Sequence, residues 1–267
     1  MKCLVTGSAG FIGENLLPLL DGHNVTTWDL TEGNDIFEEG FEEFVKMCDV
    51  VIHLAALTNV EQSKKTPIPF YLTNTFGTAR VAELCLKHKK KLVYPSTLHI
   101  YHPWKTPYAD SKYWAELFVQ RITPFVPTVI LRFYNVFGKG MNNNSGSIIN
   151  LFLKEKPITV WGKGKATRDF IHVRDVVSIV KASLGKNWNG KIVDVGTGKG
   201  VSLKEVAETF SEFRKVPVVY ENKQEIEWPI ANTTLLKRLY KKKLTTNIRE
   251  DIKGLCQNQT LGVQTYL

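Results

Sequence analysis

The sequence predicts an α/β fold built on a doubly wound parallel sheet, because short apolar strands alternate with helices over the first half of the chain. Two further observations support this prediction. A glycine-rich segment joins the first strand to the first helix, and another buried strand follows late in the chain at 191–195. The predicted strands lie at 2–6, 24–29, 50–54, 91–94 and 129–133, and the predicted helices at 11–20, 37–47, 74–88 and 108–119.

Beyond Asn135 the alternation is less regular. The pattern predicts a loop at 142–146, a helix at 147–153, short strands at 158–161 and 170–173, and a helix at 173–184. Ser202 is followed three residues later by Glu205, which is the capping-box spacing at the start of a further helix.

Three glycines predict a dinucleotide site after the first strand. Gly7, Gly10 and Gly13 stand where bare backbone can turn tightly and approach a pyrophosphate at the start of a helix. Their GxxGxxG spacing alone is weak evidence for a dinucleotide site. The strand before the glycines and the helix after them are the stronger evidence. Asp29 ends the second strand, where a carboxylate accepts both ribose hydroxyls of adenosine and repels a 2′-phosphate. The segment therefore predicts a Rossmann-type site for NAD, while the alternative for Asp29 is a simple turn aspartate.

A second group of residues points to proton transfer. Tyr108 and Lys112 are four residues apart and therefore share one face of the predicted helix. A lysine ammonium favours the phenolate and lowers the pKa of a tyrosine from its usual value of about 10. Tyr108 can then take a proton from a hydroxyl while hydride leaves the same carbon. Ser96 and Thr97 end the preceding strand, and their hydroxyls can relay protons.

These residues belong to an ordered series of motifs. The series includes His53-Leu54-Ala55-Ala56, Asn74-Thr75-Phe76-Gly77-Thr78, Arg132-Phe133-Tyr134-Asn135-Val136-Phe137-Gly138 and Arg168-Asp169-Phe170-Ile171-His172-Val173. With the glycine segment, Asp29 and the Tyr-Lys pair, the series resembles the extended short-chain dehydrogenase/reductases, the NAD-dependent epimerase/dehydratase family of nucleotide-sugar enzymes. The resemblance runs from the first residue to about Gly198.

The resemblance implies a role for each matching position. The catalytic residues are Thr97, Tyr108 and Lys112. The residues implied to bind NAD are Gly7, Gly10, Phe11, Ile12, Gly13, Asp29, Asp35, Ile36, Leu54, Ala55, Ala56, Asn74, Tyr108 and Lys112. Asn135 and Arg168 would contact a nucleotide-sugar, with the Arg168 guanidinium at its pyrophosphate. No metal site is implied.

The chain departs from the family in three places. Dehydratase members carry Asp-Glu directly after the catalytic threonine and decarboxylase members a Glu, whereas Leu98-His99 stands here. His99 is either a titratable contact for the substrate or a spacer facing the cofactor or solvent. Residues 102–107 form a much shorter segment than usual. The arginine-glycine-aspartate-like stretch that often grips the nucleotide near the C-terminus has no clear counterpart, and 228–232 stand roughly in its place.

Composition and charge bear on location and partners. The four cysteines have no metal-binding or redox spacing, and no apolar leader or membrane-length run is present, so we expect reduced thiols in a cytoplasmic protein. The net charge is +9, partly in lysine runs at 87–91 and 237–243. Because neither run is interleaved with stacking aromatics in a recognisable nucleic-acid-binding module, we interpret them as solvated surface rather than as a nucleic-acid footprint. The resemblance implies a homodimer formed through the Tyr108 helix.

The sequence therefore predicts two lobes and one leading activity. Residues 1–135 and 167–198 are predicted to form the NAD-binding domain, and residues 136–166 and 199–267 a small C-terminal substrate lobe. The leading function is a nucleotide-sugar epimerase. The first alternative is an NAD(P)H-dependent reductase of an NDP-4-keto-deoxysugar. The second is a non-catalytic NAD-binding protein, against which the intact Thr97, Tyr108 and Lys112 argue.

Overall fold

The computed structural model describes residues 1–141, 147–224 and 226–262, so the predicted loop at 142–146 lies outside the described residues. The strands are β1 Lys2–Thr6, β2 Asn24–Trp28, β3 Val50–His53, β4 Lys91–Thr97, β5 Thr128–Phe133, β6 Asn135–Phe137, β7 Ile158–Trp161, β8 Thr167–His172, β9 Lys191–Val195, β10 Gly200–Ser202 and β11 Val218–Glu221. The α-helices are α1 Phe11–Leu16, α2 Phe41–Met47, α3 Val60–Lys65, α4 Pro67–Phe70, α5 Thr78–Lys87, α6 Pro107–Ile122, α7 Ile148–Lys154, α8 Val173–Ala182, α9 Leu203–Arg214, α10 Thr234–Leu239 and α11 Ile248–Gly262.

Contacts divide the chain into two units. The first unit comprises Met1–Phe133, Val177–Val195 and Thr234–Lys241. The second comprises the described parts of Tyr134–Val176, Gly196–Thr233 and Lys242–Leu267. Within the described residues, no helix is long and apolar enough to cross a membrane.

The first unit contains a six-stranded parallel sheet in the order β2-β1-β3-β4-β5-β9. The chain moves outward from β1 to β2 and then returns to β3, so the strand order reverses beside β1, as in a doubly wound sheet. Leu4, Val51 and Tyr94 from the strands pack with Val81 and Val119 from the helices in one buried cluster. The predicted fold class is therefore confirmed, since strands that are buried on both faces read as continuous apolar runs.

Several predicted helix boundaries differ from the structure. Helix α2 begins at Phe41 rather than at Phe37, and Phe37 is 46% exposed. The predicted helix at 74–88 consists of α5 preceded by a π-helical segment, Tyr71–Gly77. Helix α6 begins at Pro107, because Thr106 caps it by accepting a hydrogen bond from the Ala109 N–H at 3.1 Å.

The second unit contains a three-stranded sheet in the order β10-β8-β6 and a parallel pair, β11-β7. Strand β8 is parallel to β6 and antiparallel to β10. Helices α7, α9 and α11 contribute Phe152, Phe210 and Ile252 to the buried cluster of this unit. The predicted cap of α9 is confirmed, since Ser202 Oγ accepts from the Glu205 N–H at 3.1 Å.

The boundaries of these units differ from those expected from the sequence. Residues 167–176 and 196–198 were expected with the NAD-binding domain, but they fall in the second unit. The reason is strand pairing: β8 bonds to β6 and β10 and not to the six-stranded sheet. Conversely, Thr234–Lys241 belongs to the first unit. The division of roles between a cofactor-binding and a substrate-binding lobe stays a prediction.

Candidate active site

The glycine segment after β1 forms a cradle of bare backbone. Gly7 has a φ of +68°, and its N–H donates to the Trp28 carbonyl at 2.9 Å. A Cβ at Gly7 would lie 2.5 Å from the Ala55 nitrogen, so only glycine permits this approach of the β1 and β3 ends. A Cβ at Gly13 would overlap the Gly7 and Ser8 carbonyls, so the start of α1 lies directly on the turn. Gly10 precedes α1, and Phe11 and Ile12 are half-buried in its first turn.

The predicted adenosine contacts lie at and just beyond the end of β2. The Asp29 carboxylate accepts from the Ala9 N–H at 3.0 Å and from the N–H and hydroxyl of Thr31 at 2.9 and 2.8 Å. Asp29 therefore holds the glycine segment to the end of β2 and is itself exposed enough to meet a ligand. Asp35 accepts from the Phe37 N–H at 3.0 Å, and the neighbouring Ile36 side chain is buried.

Asn74 occupies a fully buried position between β3 and α6. Its Nδ2 donates to the Leu57 carbonyl at 2.9 Å and to Ser111 Oγ at 3.0 Å, while its Oδ1 accepts from the Leu57 N–H at 2.8 Å. These bonds fix the half-buried segment of Leu54, Ala55 and Ala56, which follows β3, against the helix that carries Tyr108. Direct contact between Asn74 and a cofactor stays a prediction, and its partners Leu57 and Ser111 were missed by sequence reasoning.

The three predicted catalytic residues come together at the end of β4. Thr97, Tyr108 and Lys112 are only 7%, 8% and 5% exposed, and helix α6, which carries Tyr108 and Lys112, packs against β4, which ends at Thr97. Lys112 Nζ donates to the Pro95 carbonyl at 2.8 Å and lies 4.3 Å from the centre of the Tyr94 ring. One turn of α6 and the end of one strand thus hold a hydroxyl, a phenol and an amine within one buried site.

Burial shifts the proton affinities of this site. It lowers the pKa of Lys112 to about 7, an effect that the nearby Glu116 carboxylate opposes. Burial also raises the pKa of Tyr108, an effect that the Thr97 side chain opposes. Burial therefore disfavours both the Tyr108 phenolate and the Lys112 ammonium, so the lowered Tyr108 pKa expected from the Tyr-Lys spacing is not found. Proton exchange between Tyr108 and a substrate hydroxyl stays a prediction.

His99 lies against the predicted base. It sits in the 3-10 turn Leu98–Tyr101, whose start is capped by Thr97 through the His99 N–H at 3.3 Å. The His99 and Tyr108 rings meet edge to face, with centroids 5.4 Å apart. This position is compatible with a substrate contact and with a packing role, so its role stays a prediction.

A buried ion pair behind these residues was missed by sequence reasoning. Glu116 lies one turn after Lys112 on α6 and is 2% exposed. Its carboxylate accepts from Arg132 Nη2 at 2.6 Å and from Ser96 Oγ at 2.5 Å. The available signal was the position of Glu116 on the Lys112 face of the helix, but its partners are distant in sequence.

Within the second unit, both predicted substrate contacts lie on adjacent strands. Asn135 opens β6, pairs with Phe170 of β8, and donates from Nδ2 to the Asp169 carbonyl at 2.9 Å. Arg168 on β8 is half-buried, and its Nη1 donates to the Thr167 carbonyl at 2.8 Å. The structure therefore brings Asn135 and Arg168 to one small sheet, while contact with a substrate stays a prediction.

Asp169 anchors this sheet and was also missed as a functional position. Its fully buried carboxylate accepts from the N–H and hydroxyl of Thr197 at 2.8 and 2.7 Å, from the Gly198 N–H at 2.9 Å and from the Ala231 N–H at 3.2 Å. Gly196 is required beside it, because a Cβ there would lie 2.6 Å from an Asp169 oxygen. One carboxylate thus joins β8, the turn at 196–198 and the segment around Ala231.

Comparison with known proteins gives a consistent set of relatives. A putative UDP-glucose 4-epimerase of Methanocaldococcus jannaschii is 32% identical over 76% of this chain and 79% of that protein. A GDP-6-deoxy-D-talose 4-dehydrogenase of Aggregatibacter actinomycetemcomitans is 32% identical over 79% and 80%. A UDP-N-acetyl-alpha-D-glucosaminuronate decarboxylase of Bacillus cytotoxicus is 28% identical over 82% and 84%.

A solved structure and a family model agree with these relatives. The X-ray structure of Pal from Bacillus thuringiensis matches with a TM-score of 0.85 at 26% identity, covering 98% of this chain and 100% of that one. Residues 3–196 match the model of the NAD dependent epimerase/dehydratase family, which spans the glycine cradle, the catalytic residues and the strand of Arg168. The chain is therefore an enzyme of the NAD-dependent epimerase/dehydratase family, whose cofactor is NAD.

Proposed function

We propose that this chain is an NAD-dependent nucleotide-sugar epimerase. The observation that carries the proposal is the buried set of Thr97, Tyr108 and Lys112, followed by a turn without a carboxylate. Elimination of water or loss of a carboxyl group would call for the acidic groups that the dehydratase and decarboxylase members carry after the threonine. Leu98 and His99 stand there instead, so oxidation and reduction at one carbon is the chemistry that remains.

The glycine cradle supports the cofactor assignment. Gly7 and Gly13 allow the turn to lie directly against the segment after β3 and against the start of α1, because a Cβ at either would overlap backbone atoms there, and the Asp29 carboxylate lies beside the turn at the end of β2. Bare backbone at the start of a helix is where a dinucleotide pyrophosphate binds. Leu54, Ala55 and Ala56 would line the dinucleotide cleft, Asp35 and Ile36 would flank the adenine, and Lys112 would bind the nicotinamide ribose. When bound, NAD supplies a reversible acceptor for the hydride of the sugar carbon.

Tyr108 would carry the proton. The Lys112 ammonium would stabilise Tyr108 as the phenolate, which takes the proton of a sugar hydroxyl as the same carbon gives up hydride. The keto sugar then presents its other face, its carbon takes hydride back, and Tyr108 returns the proton. Arg168 and Asn135 would hold the nucleotide part, since a guanidinium suits the oxygens of a pyrophosphate.

A second candidate is an NAD(P)H-dependent reductase of an NDP-4-keto-deoxysugar. The relative named GDP-6-deoxy-D-talose 4-dehydrogenase favours it, because this reaction uses the same proton chemistry. The two functions differ in cofactor use: an epimerase regenerates its NAD in every turnover, whereas a reductase consumes one reduced cofactor for each product.

One experiment separates these candidates. The purified protein is denatured and the released nucleotide is identified. The native protein is then incubated with UDP-, GDP- and dTDP-hexoses without added cofactor and, in a second assay, with NDP-4-keto-deoxyhexoses and added NADH. The proposal predicts retained NAD and epimer formation without added cofactor, which is absent in the Tyr108→Phe variant. Product that forms only with stoichiometric loss of absorbance at 340 nm from added NADH would instead establish the reductase. No product in either assay would overturn both.

We also propose that the chain forms a homodimer. Trp114 and Phe118 on α6 are 50% and 42% exposed, and Leu72 and Phe76 on the packed π-helical segment are 51% and 57% exposed. Each pair is spaced four residues apart and therefore forms an apolar stripe on one helix face. A second copy of this chain would cover these stripes by helix packing. A measured solution mass of one chain would contradict the proposal.

A further inference from the structure

Behind the catalytic residues, polar side chains form a continuous network in the first unit. At its inner end, Ser96 Oγ donates to Glu116 at 2.5 Å, and Ser96 immediately precedes Thr97. Glu116 also accepts from Arg132 Nη2 at 2.6 Å and from Gln120 Nε2 at 2.9 Å. The nearly complete burial of Glu116 makes these bonds costly to lose, because an isolated buried carboxylate is strongly disfavoured.

At its outer end, the network reaches the turn after the catalytic threonine. Arg132 Nη1 donates to the Tyr101 hydroxyl at 3.0 Å, and this hydroxyl donates to Asp194 Oδ1 at 2.9 Å. The Arg132 guanidinium also lies over the Tyr101 ring, 5.2 Å from its centre. Tyr101 is the last residue of the turn Leu98–Tyr101, so its hydroxyl attaches that turn to β5 and β9.

The two ends of the network therefore bracket Thr97 and His99. Ser96 fixes the residue before Thr97, Tyr101 fixes the end of the turn that carries His99, and Glu116 connects both to the helix of Tyr108 and Lys112. Leu98 and Ile100 in this turn are also buried, so the polar network acts together with apolar packing in setting where the turn lies. A displacement of about 1 Å in such a site can cost about 100-fold in rate.

We propose that Tyr101 and Glu116 are positioning residues. They hold Thr97 and the turn Leu98–Tyr101 in place relative to Tyr108 and Lys112. The expected effect on turnover rests on the proposed function. The expected effect on the position of the turn rests on geometry alone. Neither residue acts on the substrate itself. Both act through the placement of Thr97, whose Oγ1 accepts from the His99 N–H at 3.3 Å, and through the contact of the His99 ring with Tyr108.

The test uses the full chain with NAD and compares Tyr101→Phe, Glu116→Gln and a control, Glu42→Gln. Glu42 is also an ion-paired glutamate of the first unit, bonded to Lys87 at 2.7 Å, but it lies on α2. Tyr101→Phe removes one partly exposed hydroxyl and keeps the ring, so it should fold even if Glu116→Gln does not. Hydrogen exchange of residues 98–106 and turnover of the nucleotide-hexose accepted by the wild type are measured for each variant.

We expect Tyr101→Phe to accelerate exchange in residues 98–106 and to lower kcat by about ten-fold, with KM and the Kd for NAD changed less than two-fold. Glu116→Gln should lower kcat by about 100-fold, and Glu42→Gln should change neither readout. Unchanged exchange in Tyr101→Phe overturns the inference whether or not a substrate is found. Faster exchange with wild-type kcat per folded molecule also overturns it. A wild type that accepts no sugar defeats the proposed function, and the exchange data then decide the positioning role alone.

Discussion

Replacing Asp169 by asparagine should destabilise the second unit strongly, although the two side chains have almost the same shape. In the wild type, one carboxylate oxygen accepts two bonds from Thr197, and the other accepts from the N–H groups of Gly198 and Ala231. An asparagine can keep the first pair only by pointing its own N–H₂ group at the second pair of donors. If the amide flips, its N–H₂ group faces the N–H and hydroxyl of Thr197 instead.

Two hydrogen bonds are therefore lost in the first orientation. In the flipped orientation at least one is lost, that of the Thr197 N–H, because the Thr197 hydroxyl can turn and accept from the amide. Bonds to a charged acceptor contribute about 1.5 to 3 kcal/mol each, so the free energy of unfolding should fall by about 1.5 to 6 kcal/mol. At about 2 to 4 °C per kcal/mol for a chain of this size class, the Tm should fall by at least about 3 °C. Gly196 packs directly against this carboxylate, since a Cβ there would lie 2.6 Å from an Asp169 oxygen, so the new side chain has little room to shift.

The assay is thermal unfolding followed by circular dichroism, with Asp21→Asn as the control. Asp21 is exposed and accepts a single bond from the Gly22 N–H at 3.0 Å, which asparagine can keep, so the Tm of this variant should stay within about 2 °C of the wild type. An Asp169→Asn variant whose Tm matches that of Asp21→Asn would refute the reasoning.

Four further predictions follow from the site. Tyr108→Phe should lower turnover by about 100-fold to 10,000-fold while the Kd for NAD stays within two-fold, and wild-type turnover would remove Tyr108 from the mechanism. Asp29→Ser should narrow the preference for NAD over NADP in titration calorimetry, whereas tighter NADP binding by the wild type would contradict the assignment. Arg168→Ala should weaken nucleotide-sugar binding by about ten-fold to 100-fold without changing the Kd for NAD, and a lower Tm with unchanged affinity would make it structural. His53 is fully buried, with both ring nitrogens bonded to Thr6 and Thr78, and burial lowers its pKa to about 3. Because the unfolded chain takes up this proton near pH 6.5 and the folded chain does not, the free energy of unfolding should fall by about 1.4 kcal/mol per pH unit from pH 6.5 towards pH 3. The free energy of unfolding is measured by chemical denaturation at several pH values. If the His53→Asn variant has the same dependence on pH as the wild type, His53 is not the cause of that dependence.

The sheet of the first unit was predictable because most of its strands contain short apolar runs, such as residues 50–52 in β3 and 129–131 in β5, while the edge strand β2, NVTTW, consists mainly of β-branched and aromatic residues. The segment between β3 and α5 was not, and it forms α3, α4 and the π-helical turn. Prolines at 67 and 69 suggest an irregular connection, yet Pro67 occupies the first turn of α4, where its missing N–H has no cost. Strand β8 was found by its composition, but composition carries no information about which strands it pairs with.

Residues of the candidate site could be predicted where they belong to a sequence motif. They could not be predicted where their role depends on a partner that is distant in the sequence. Tyr108 and Lys112 are recognised from their spacing on one helix. Glu116 and Asp169 become meaningful only through Ser96, Arg132 and Thr197, which are brought to them by the fold. A carboxylate in a sequence is ordinarily a surface residue, so its burial has to be observed.

The contacts of α6 separate the proposed proton-transfer residues from the segments expected to select the substrate. On one side, Ser111 Oγ accepts from Asn74 and donates to the Tyr108 carbonyl at 2.8 Å, which ties the turn of Tyr108 to the predicted cofactor side. On another, Glu116 ties the same helix to Ser96 of β4 and Arg132 of β5. These contacts all lie within the first unit. Apart from Pro107, the departures from the family at 102–107 and 228–232 lie outside this helix, so we expect changes there to affect the choice of substrate more than the proposed proton transfer.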